Sequence, residues 1–276
     1  MPLKTTFILS VIILNLYFDC FAQLGSGASE NTLLMMSTES HNIVQSSSFI
    51  GNQALAAKLE KPIYGVFSER KYIFDGIHNV ILFGGLPVFR NYVTAGLNFS
   101  GNDWCNQTLI SLGIAKSLGV KMDIGLRFNY FIEHFSGYES NNFLSADAGF
   151  VFHLSSKVNL GLQIDNACAV FLLKAGKPEI KIPYRCKWGL GYDISDQFFI
   201  GVDFVKEENF KINLVTLLKY QLKKKISIKY TVSAIQMSNA IGIEWFQKKI
   251  HFQFVCARHP QLGYSAGVII CSNQIL

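Results

Sequence analysis

The pair of residues in this chain that most resembles a catalytic pair is a histidine and a serine two positions apart. His153 and Ser155 flank Leu154 at the end of a segment in which apolar and polar residues alternate. In an extended strand this spacing puts both side chains on one face, where an imidazole could activate a hydroxyl. The same face carries Ser145 and Asp147, which is typical of a polar wall around an enclosed space. We therefore predict a wall histidine and a turn serine, and no enzyme.

No other motif predicts catalysis, a metal or a cofactor. The sequence has no His-Glu-x-x-His, Cys-x-x-Cys or Gly-x-Ser-x-Gly motif, and its Gly-x-Gly pairs lie inside predicted strands, where no helix follows to bind a phosphate. The cysteines after residue 22 are odd in number and widely spaced, which argues against a disulfide framework. The net charge is +6, and basic residues cluster only from Lys219 to Lys229, which we interpret as a solvated turn. We predict no cofactor, no metal and no nucleic-acid partner.

The N-terminus has the form of a secretory signal peptide. Lys4 precedes an apolar run, and Ala22 offers the small residue at which such leaders are cleaved. The predicted organisation is a signal peptide at 1–22, a Ser-, Asn- and Ala-rich N-terminal segment at 23–60, and a main domain at 61–276.

Alternation of apolar and polar residues with a period of two runs through the main domain. The stretch LGVKMDIGLRFNY places seven apolar side chains on one face of a strand and Lys121, Asp123, Arg127 and Asn129 on the other. Similar segments number about fourteen, and many are near ten residues long, as a tilted strand needs to cross a bilayer. The strands are predicted at 62–70, 76–86, 88–99, 106–116, 119–133, 142–154, 157–166, 181–193, 197–206, 209–221, 225–236, 239–247, 249–257 and 262–272.

The connections between these strands predict a closed barrel. Very short turns alternate with mostly longer connections, as in outer-membrane barrels with tight periplasmic turns and longer external loops. We therefore predict an all-β transmembrane antiparallel barrel whose apolar faces contact lipid and whose polar faces line a lumen. A secreted β-sandwich that buries the same apolar faces is the alternative. Polar side chains predicted to face the lumen are Lys121, Asp123, Arg127, Asn129, Asp147, His153 and His251. Aromatic residues predicted at the membrane interfaces are Trp104, Tyr130, Tyr192, Phe198, Tyr220 and Trp245.

Wall side chains alone do not fill a barrel of about fourteen strands. The segment 23–60, with a short helix predicted near Ser47 to Leu59, is the predicted plug.

Several stretches together resemble a known group of membrane barrels. GNQALAA, PIYGVFSERKYI, ISLGIAKSLGVKMDIGLRFNYF, IPYRCKWGLGYDISDQFFIGVDFVKE and HPQLGYSAGV are similar to Bacteroidota outer-membrane barrels related to PorV and PorQ of the type IX secretion system. These belong to the wider FadL-like superfamily of fatty-acid transporters. The resemblance implies a fourteen-stranded barrel with an N-terminal segment in its lumen. In that family an Asn-Pro-Ala-Gly-like motif marks this segment. The plug candidates in its place are Asn52, Gln53, Ala54 and Leu55, so the expected Pro and Gly are replaced.

Three functions remain open at this point. The first is a non-enzymatic barrel of a Gram-negative outer membrane that serves type IX secretion or binds exported partners. It is favoured by an apolar patch in the longest predicted external loop, where Val170, Phe171, Leu172 and Leu173 are the candidate partner contacts. The second is FadL-like transport of hydrophobic small molecules, and the third is a simple porin. In each case the lipid bilayer is the first partner.

Overall fold

Fourteen antiparallel strands form a closed barrel in which consecutive strands are neighbours and β1 pairs with β14. The computed structural model describes residues 35–43, 45–73, 77–137, 140–171, 183–223, 225–235 and 237–272. The predicted signal peptide lies outside these residues. The strands are β1 Ile63–Arg70, β2 His78–Val88, β3 Asn91–Gly101, β4 Cys105–Ser117, β5 Met122–Phe135, β6 Asn141–His153, β7 Val158–Phe171, β8 Arg185–Ser195, β9 Phe198–Glu207, β10 Asn213–Lys223, β11 Ile226–Ser233, β12 Asn239–Phe246, β13 Ile250–His259 and β14 Gly263–Ser272. The predicted barrel of about fourteen strands is confirmed.

The period of two in the sequence appears as alternating burial along each strand. In β12, Ala240 and Glu244 are buried, whereas Ile241, Ile243 and Trp245 are exposed on the outer face. Since the sheet is closed, such apolar side chains can face lipid without an unpaired sheet edge. Among the described helices, none is long and apolar enough to cross a bilayer.

The two rims of the barrel differ in their connections. One rim, called here the turn rim, carries the connections 89–90, 118–121, 154–157, 196–197, 224–225 and 247–249, together with the start of β1 and the end of β14. The opposite rim, called the loop rim, carries the connections 71–77, 102–104, 136–140, 172–184, 208–212, 234–238 and 260–262. This asymmetry matches that of outer-membrane barrels, whose tight turns are periplasmic.

Two differences in strand boundaries affect predicted site residues. Strand β5 begins at Met122 because the Leu118 N–H donates to the Met122 carbonyl (2.7 Å) and Gly119 adopts a positive φ of 75°. Lys121 therefore lies exposed in the turn and does not line the lumen as predicted. Strand β7 continues to Phe171, paired with Phe143, so Val170 and Phe171 belong to a strand and not to an external loop. Leu172 and Leu173 lie outside the described residues.

Residues 35–43 and 45–60, called here the inner segment, run through the barrel interior. Their side chains and backbone contact inward-facing residues of β3, β9 and β11, on different sides of the barrel. The helix predicted near Ser47 to Leu59 is two short 3₁₀ helices, Ser48–Ile50 and Gln53–Lys58. Asn52 separates them in an extended conformation, and its side chain accepts the Ala54 N–H.

Candidate functional site

Two buried wall carboxylates hold the start of the inner segment. Asp203 of β9 accepts hydrogen bonds from the Ser37 N–H and the Ser37 hydroxyl, both at 2.7 Å. Asp193 of β8 accepts the Ser40 hydroxyl at 2.5 Å and the His41 N–H at 2.9 Å. Hydrogen bonds to an ionised acceptor are stronger than neutral ones, so these two carboxylates are the firmest anchors of this end.

Wall donors bind backbone carbonyls of the inner segment. The Lys187 ammonium donates to the Gly51 carbonyl at 2.7 Å, and the Lys219 ammonium donates to the Ile43 carbonyl at 3.0 Å. The Asn159 amide donates to the Glu39 carbonyl at 2.8 Å. Because this segment is mostly irregular, its buried carbonyls need such partners outside the segment.

The four plug candidates lie in the interior and are buried. The Asn52 amide donates to the Ser37 carbonyl at 2.8 Å and ties the two ends of the inner segment together. The Gln53 amide donates to the Thr94 hydroxyl at 2.9 Å. Ala54 and Leu55 pack against an apolar side chain of β6.

Inward-facing glycines let the inner segment approach the wall. A Cβ at Gly161 would lie 2.2 Å from the Ser37 carbonyl oxygen, and one at Gly149 would lie 2.2 Å from Asn52 Oδ1. A Cβ at Gly125 would lie 2.5 Å from the Ala54 nitrogen. The wall therefore fits this segment at specific positions.

A ladder of charged side chains crosses the wall of β5 to β8 beside the inner segment. Arg127 contacts Asp147 at 2.9 Å and Asp165 at 3.7 Å, and Arg185 contacts Asp165 at 2.7 Å. The Asn129 amide donates to Asp147 at 2.7 Å. Arg127, Asn129 and Asp147 were among the predicted lumen residues, and the structure brings them together here.

A second charged cluster surrounds Glu244. Its carboxylate lies 3.3 Å from the Lys219 ammonium, 2.7 Å from the Lys229 ammonium and 3.7 Å from His251 Nε2. The interpretation of Lys219 to Lys229 as a solvated turn is therefore wrong for its two ends, which are buried, whereas Lys223 and Lys225 are exposed. Parity could have shown this, because Lys219 and Lys229 alternate with outward apolar residues.

His153 belongs to a buried polar group near the turn rim. Its Nε2 lies 2.7 Å from Asp123, which also accepts the Ser117 hydroxyl at 2.6 Å. Its Nδ1 lies 2.7 Å from the Asn159 side-chain oxygen. Ser155 is exposed and accepts N–H groups of its own turn, so the structure does not pair it with His153.

Buried apolar side chains form two interior clusters, together called here the apolar track. One contains residues of β1, β2, β3, β4 and β14 together with Met35, and the other contains residues of β9, β10, β12 and β13 together with Met36. Met35 and Met36 are adjacent in the inner segment, so each cluster includes one of them. The first contains Met35, Phe49, Ala56, Leu59, Ile63, Phe67, Phe83, Tyr92, Ala115, Ile269 and Cys271, and the second contains Met36, Phe199, Val215, Leu217, Ala240, Val255 and Ala257. The sequence analysis, which assigned apolar faces to lipid, missed this track.

Within the described residues, no group of His, Cys, Asp and Glu has an arrangement that could hold a metal ion. The described interior combines the apolar track with clusters of charged wall residues.

Solved structures of outer-membrane proteins share the fold of this chain. No protein-family model and no curated protein matches the chain. A crystal structure of the toluene transporter TodX of Pseudomonas putida matches with a TM-score of 0.62 and 9% identity, over 88% of this chain and 97% of that one. The chain has the fold of FadL-type outer-membrane barrels.

Two further structures share this fold. The monoaromatic hydrocarbon channel CymD matches with a TM-score of 0.55 and 11% identity, over 84% of this chain and 92% of that one. A FadL homologue of Pseudomonas aeruginosa matches with a TM-score of 0.53 and 10% identity, over 87% and 96%. The FadL-type part of the sequence resemblance thus agrees with the fold, whereas these structures give no support to PorV, PorQ or an origin in Bacteroidota.

Proposed function

We propose that this chain is a non-enzymatic outer-membrane channel for small hydrophobic compounds. The observation that carries the proposal is the apolar track, in which buried apolar side chains of the wall and of the inner segment pack together next to charged wall residues. Water-filled channels have polar interiors. Buried apolar side chains on the inward faces therefore favour transport of a hydrophobic compound. The fold adds support, since the matched structures include proteins described as a toluene transporter and monoaromatic hydrocarbon channels.

The other two functions have less support. The inner segment contacts opposite walls through many hydrogen bonds, which argues against a wide, open porin. A role in type IX secretion, implied by the sequence resemblance, depended on an apolar external loop. Two of its four candidate contacts lie in β7, and none of the matched structures named above is described as a secretion protein.

Uptake by Gram-negative cells tests the proposal. Cells producing the chain should take up the fluorescent apolar probe N-phenylnaphthylamine faster than cells without it, whereas uptake of a disaccharide should not change. Val255→Asn, which puts an amide into the apolar track, should remove the gain. Val151→Asn is the matched control, because Val151 is equally buried and faces inward but lies outside the track.

Heat-modifiable migration on gels shows that each variant folds as a barrel. Equal probe uptake with and without the chain, or equal loss in both variants, would contradict a hydrophobic-compound channel.

A further inference from the structure

The lipid-facing wall carries a groove next to the turn rim, with a volume of about 660 Å³. Its floor is a row of outward residues on neighbouring strands in which three are small: Ser272, Gly84 and Ala95. Gly84 lies between Tyr64 and Ala95, and the Tyr64 N–H donates to the Ser272 hydroxyl at 3.1 Å. Ile250 and Leu112 close the two ends of this row.

The groove is open space on the outer face and is not filled by packing. A Cβ at Gly84 would come near a single atom, the Ile63 carbonyl oxygen at 3.3 Å, whereas a Cβ at an inward glycine such as Gly161 would collide with the inner segment. Leucine and isoleucine side chains flank the floor, namely Leu82, Leu97, Ile110 and Ile270. Such an apolar lining suits an acyl chain, which can fill the groove by van der Waals packing.

A cation stands at the end of the groove nearest the turn rim. Lys249 lines the groove and is exposed. Among described residues, the exposed charged groups at the turn rim are mostly cationic: Lys61, Arg90, Lys116, Lys121, Lys157, Lys223, Lys225, Lys248 and Lys249, against Glu60 and Asp196.

The excess is smaller at the loop rim. Among described residues, the exposed charged groups there are Arg70, Lys211 and Arg258, against Asp103. A cationic rim attracts anionic lipid headgroups electrostatically.

We propose that this groove is a binding site for one anionic glycerophospholipid of the leaflet at the turn rim. One acyl chain lies over Gly84 and Ala95, and the headgroup phosphate pairs with the Lys249 ammonium. The groove faces the membrane at the level of the rim, so the bilayer itself supplies the ligand. The inference rests on the proposed membrane location and is independent of what the channel transports.

Native mass spectrometry of the full chain in mild detergent tests the site. After removal of bound lipid, dioleoyl phosphatidylglycerol should bind with a stoichiometry of one and about tenfold more tightly than dioleoyl phosphatidylcholine. Gly84→Phe, which fills the groove from outside, should weaken phosphatidylglycerol binding about tenfold. Lys249→Gln should leave the groove intact and make the two lipids bind alike.

Two matched variants serve as controls. Ala148→Phe enlarges a small outward side chain on β6, and Lys157→Gln removes an exposed cation at another turn of the same rim. Both should bind phosphatidylglycerol as the unaltered chain does. If Ala148→Phe weakens binding as much as Gly84→Phe, or Lys157→Gln as much as Lys249→Gln, the lipid is a general annulus and the site is refuted.

The lipid-binding experiment and the uptake experiment test the two proposals independently. Probe uptake without single-lipid binding overturns the lipid site alone, and single-lipid binding without probe uptake overturns the channel alone.

Discussion

At the scale of single residues, the inner segment depends most on Asp203. This buried carboxylate accepts two hydrogen bonds from Ser37. Asp203→Ala leaves the Ser37 N–H and hydroxyl without their acceptor, which should cost about 1–3 kcal/mol. We expect the start of the inner segment to detach and the barrel to conduct ions in a planar bilayer, where the unaltered chain stays closed.

Asp147→Ala is the control for that experiment. Asp147 is buried in the same interior, but its partners Arg127, Asn129 and Asn166 all belong to the wall. Its loss should lower stability to urea in detergent without opening the barrel. Equal currents in both variants would show that Asp203 has no special role in closure.

Glu39 of the inner segment should make stability depend on pH. Burial raises the pKa of its carboxyl from 4.5 to about 7, although the positive charge of Lys219 opposes this shift. The folded state then holds a proton that the unfolded state loses, so the contribution of Glu39 to stability should fall by about 1 kcal/mol for each pH unit between pH 4.5 and 7. Urea unfolding in detergent across this range measures the slope.

Glu39→Gln should flatten that slope and raise stability at pH 7, because the amide carries no charge to desolvate. The difference in slope between the two proteins isolates Glu39 from other titrating groups such as His251 and Glu244. An unchanged slope in Glu39→Gln would show that this carboxyl is already ionised in the fold at low pH.

The sequence predicted interior residues well where one face is polar and poorly where both faces are apolar. Asp123, Arg127 and Asn129 follow from parity because their strand alternates strictly. In β1 the outward Val66 and the inward Phe67 are both apolar, so the pattern does not show which face of the strand points into the barrel. The apolar track could not be found from such strands.

At the scale of elements, the fit between wall and inner segment depends on inward glycines. Gly161→Ala places a methyl group about 2.2 Å from the Ser37 carbonyl oxygen, and the Gly161 backbone is held in a paired strand. We expect a loss of about 1–3 kcal/mol, as for other overpacked sites. For a chain of this size the midpoint of thermal unfolding should fall by about 2–4 °C for each kcal/mol lost, read by gel migration after heating.

Gly84→Ala is the matched control, because its methyl group points into the open outer groove. It should leave the unfolding midpoint near that of the unaltered chain. Equal shifts in the two variants would mean that strand propensity, and not contact with the inner segment, sets the cost of both.

The positions of the strands were predictable because hydrogen-bonded strands of a lipid-facing sheet must alternate. The errors fall at the ends, as in the 118–121 turn, where Lys121 continues the alternation of β5 although the backbone has already turned. The path of the inner segment was not predictable, since an irregular segment has no period and several of its partners lie more than 100 residues away, as Asp203 does from Ser37.

At the scale of the whole molecule, closure of the barrel and filling of its interior are separable. Every strand pairs with two neighbours, and the inner segment adds no strand to the sheet. Deletion of residues 35–59 should therefore leave a barrel that still shows heat-modifiable migration, while its charged walls become a water-filled bore. We expect large, steady currents from the shortened chain in planar bilayers, and N-phenylnaphthylamine uptake that no longer responds to Val255→Asn, because a wide aqueous path bypasses the track. If the shortened chain folds but gives no current, residues outside the inner segment close the barrel.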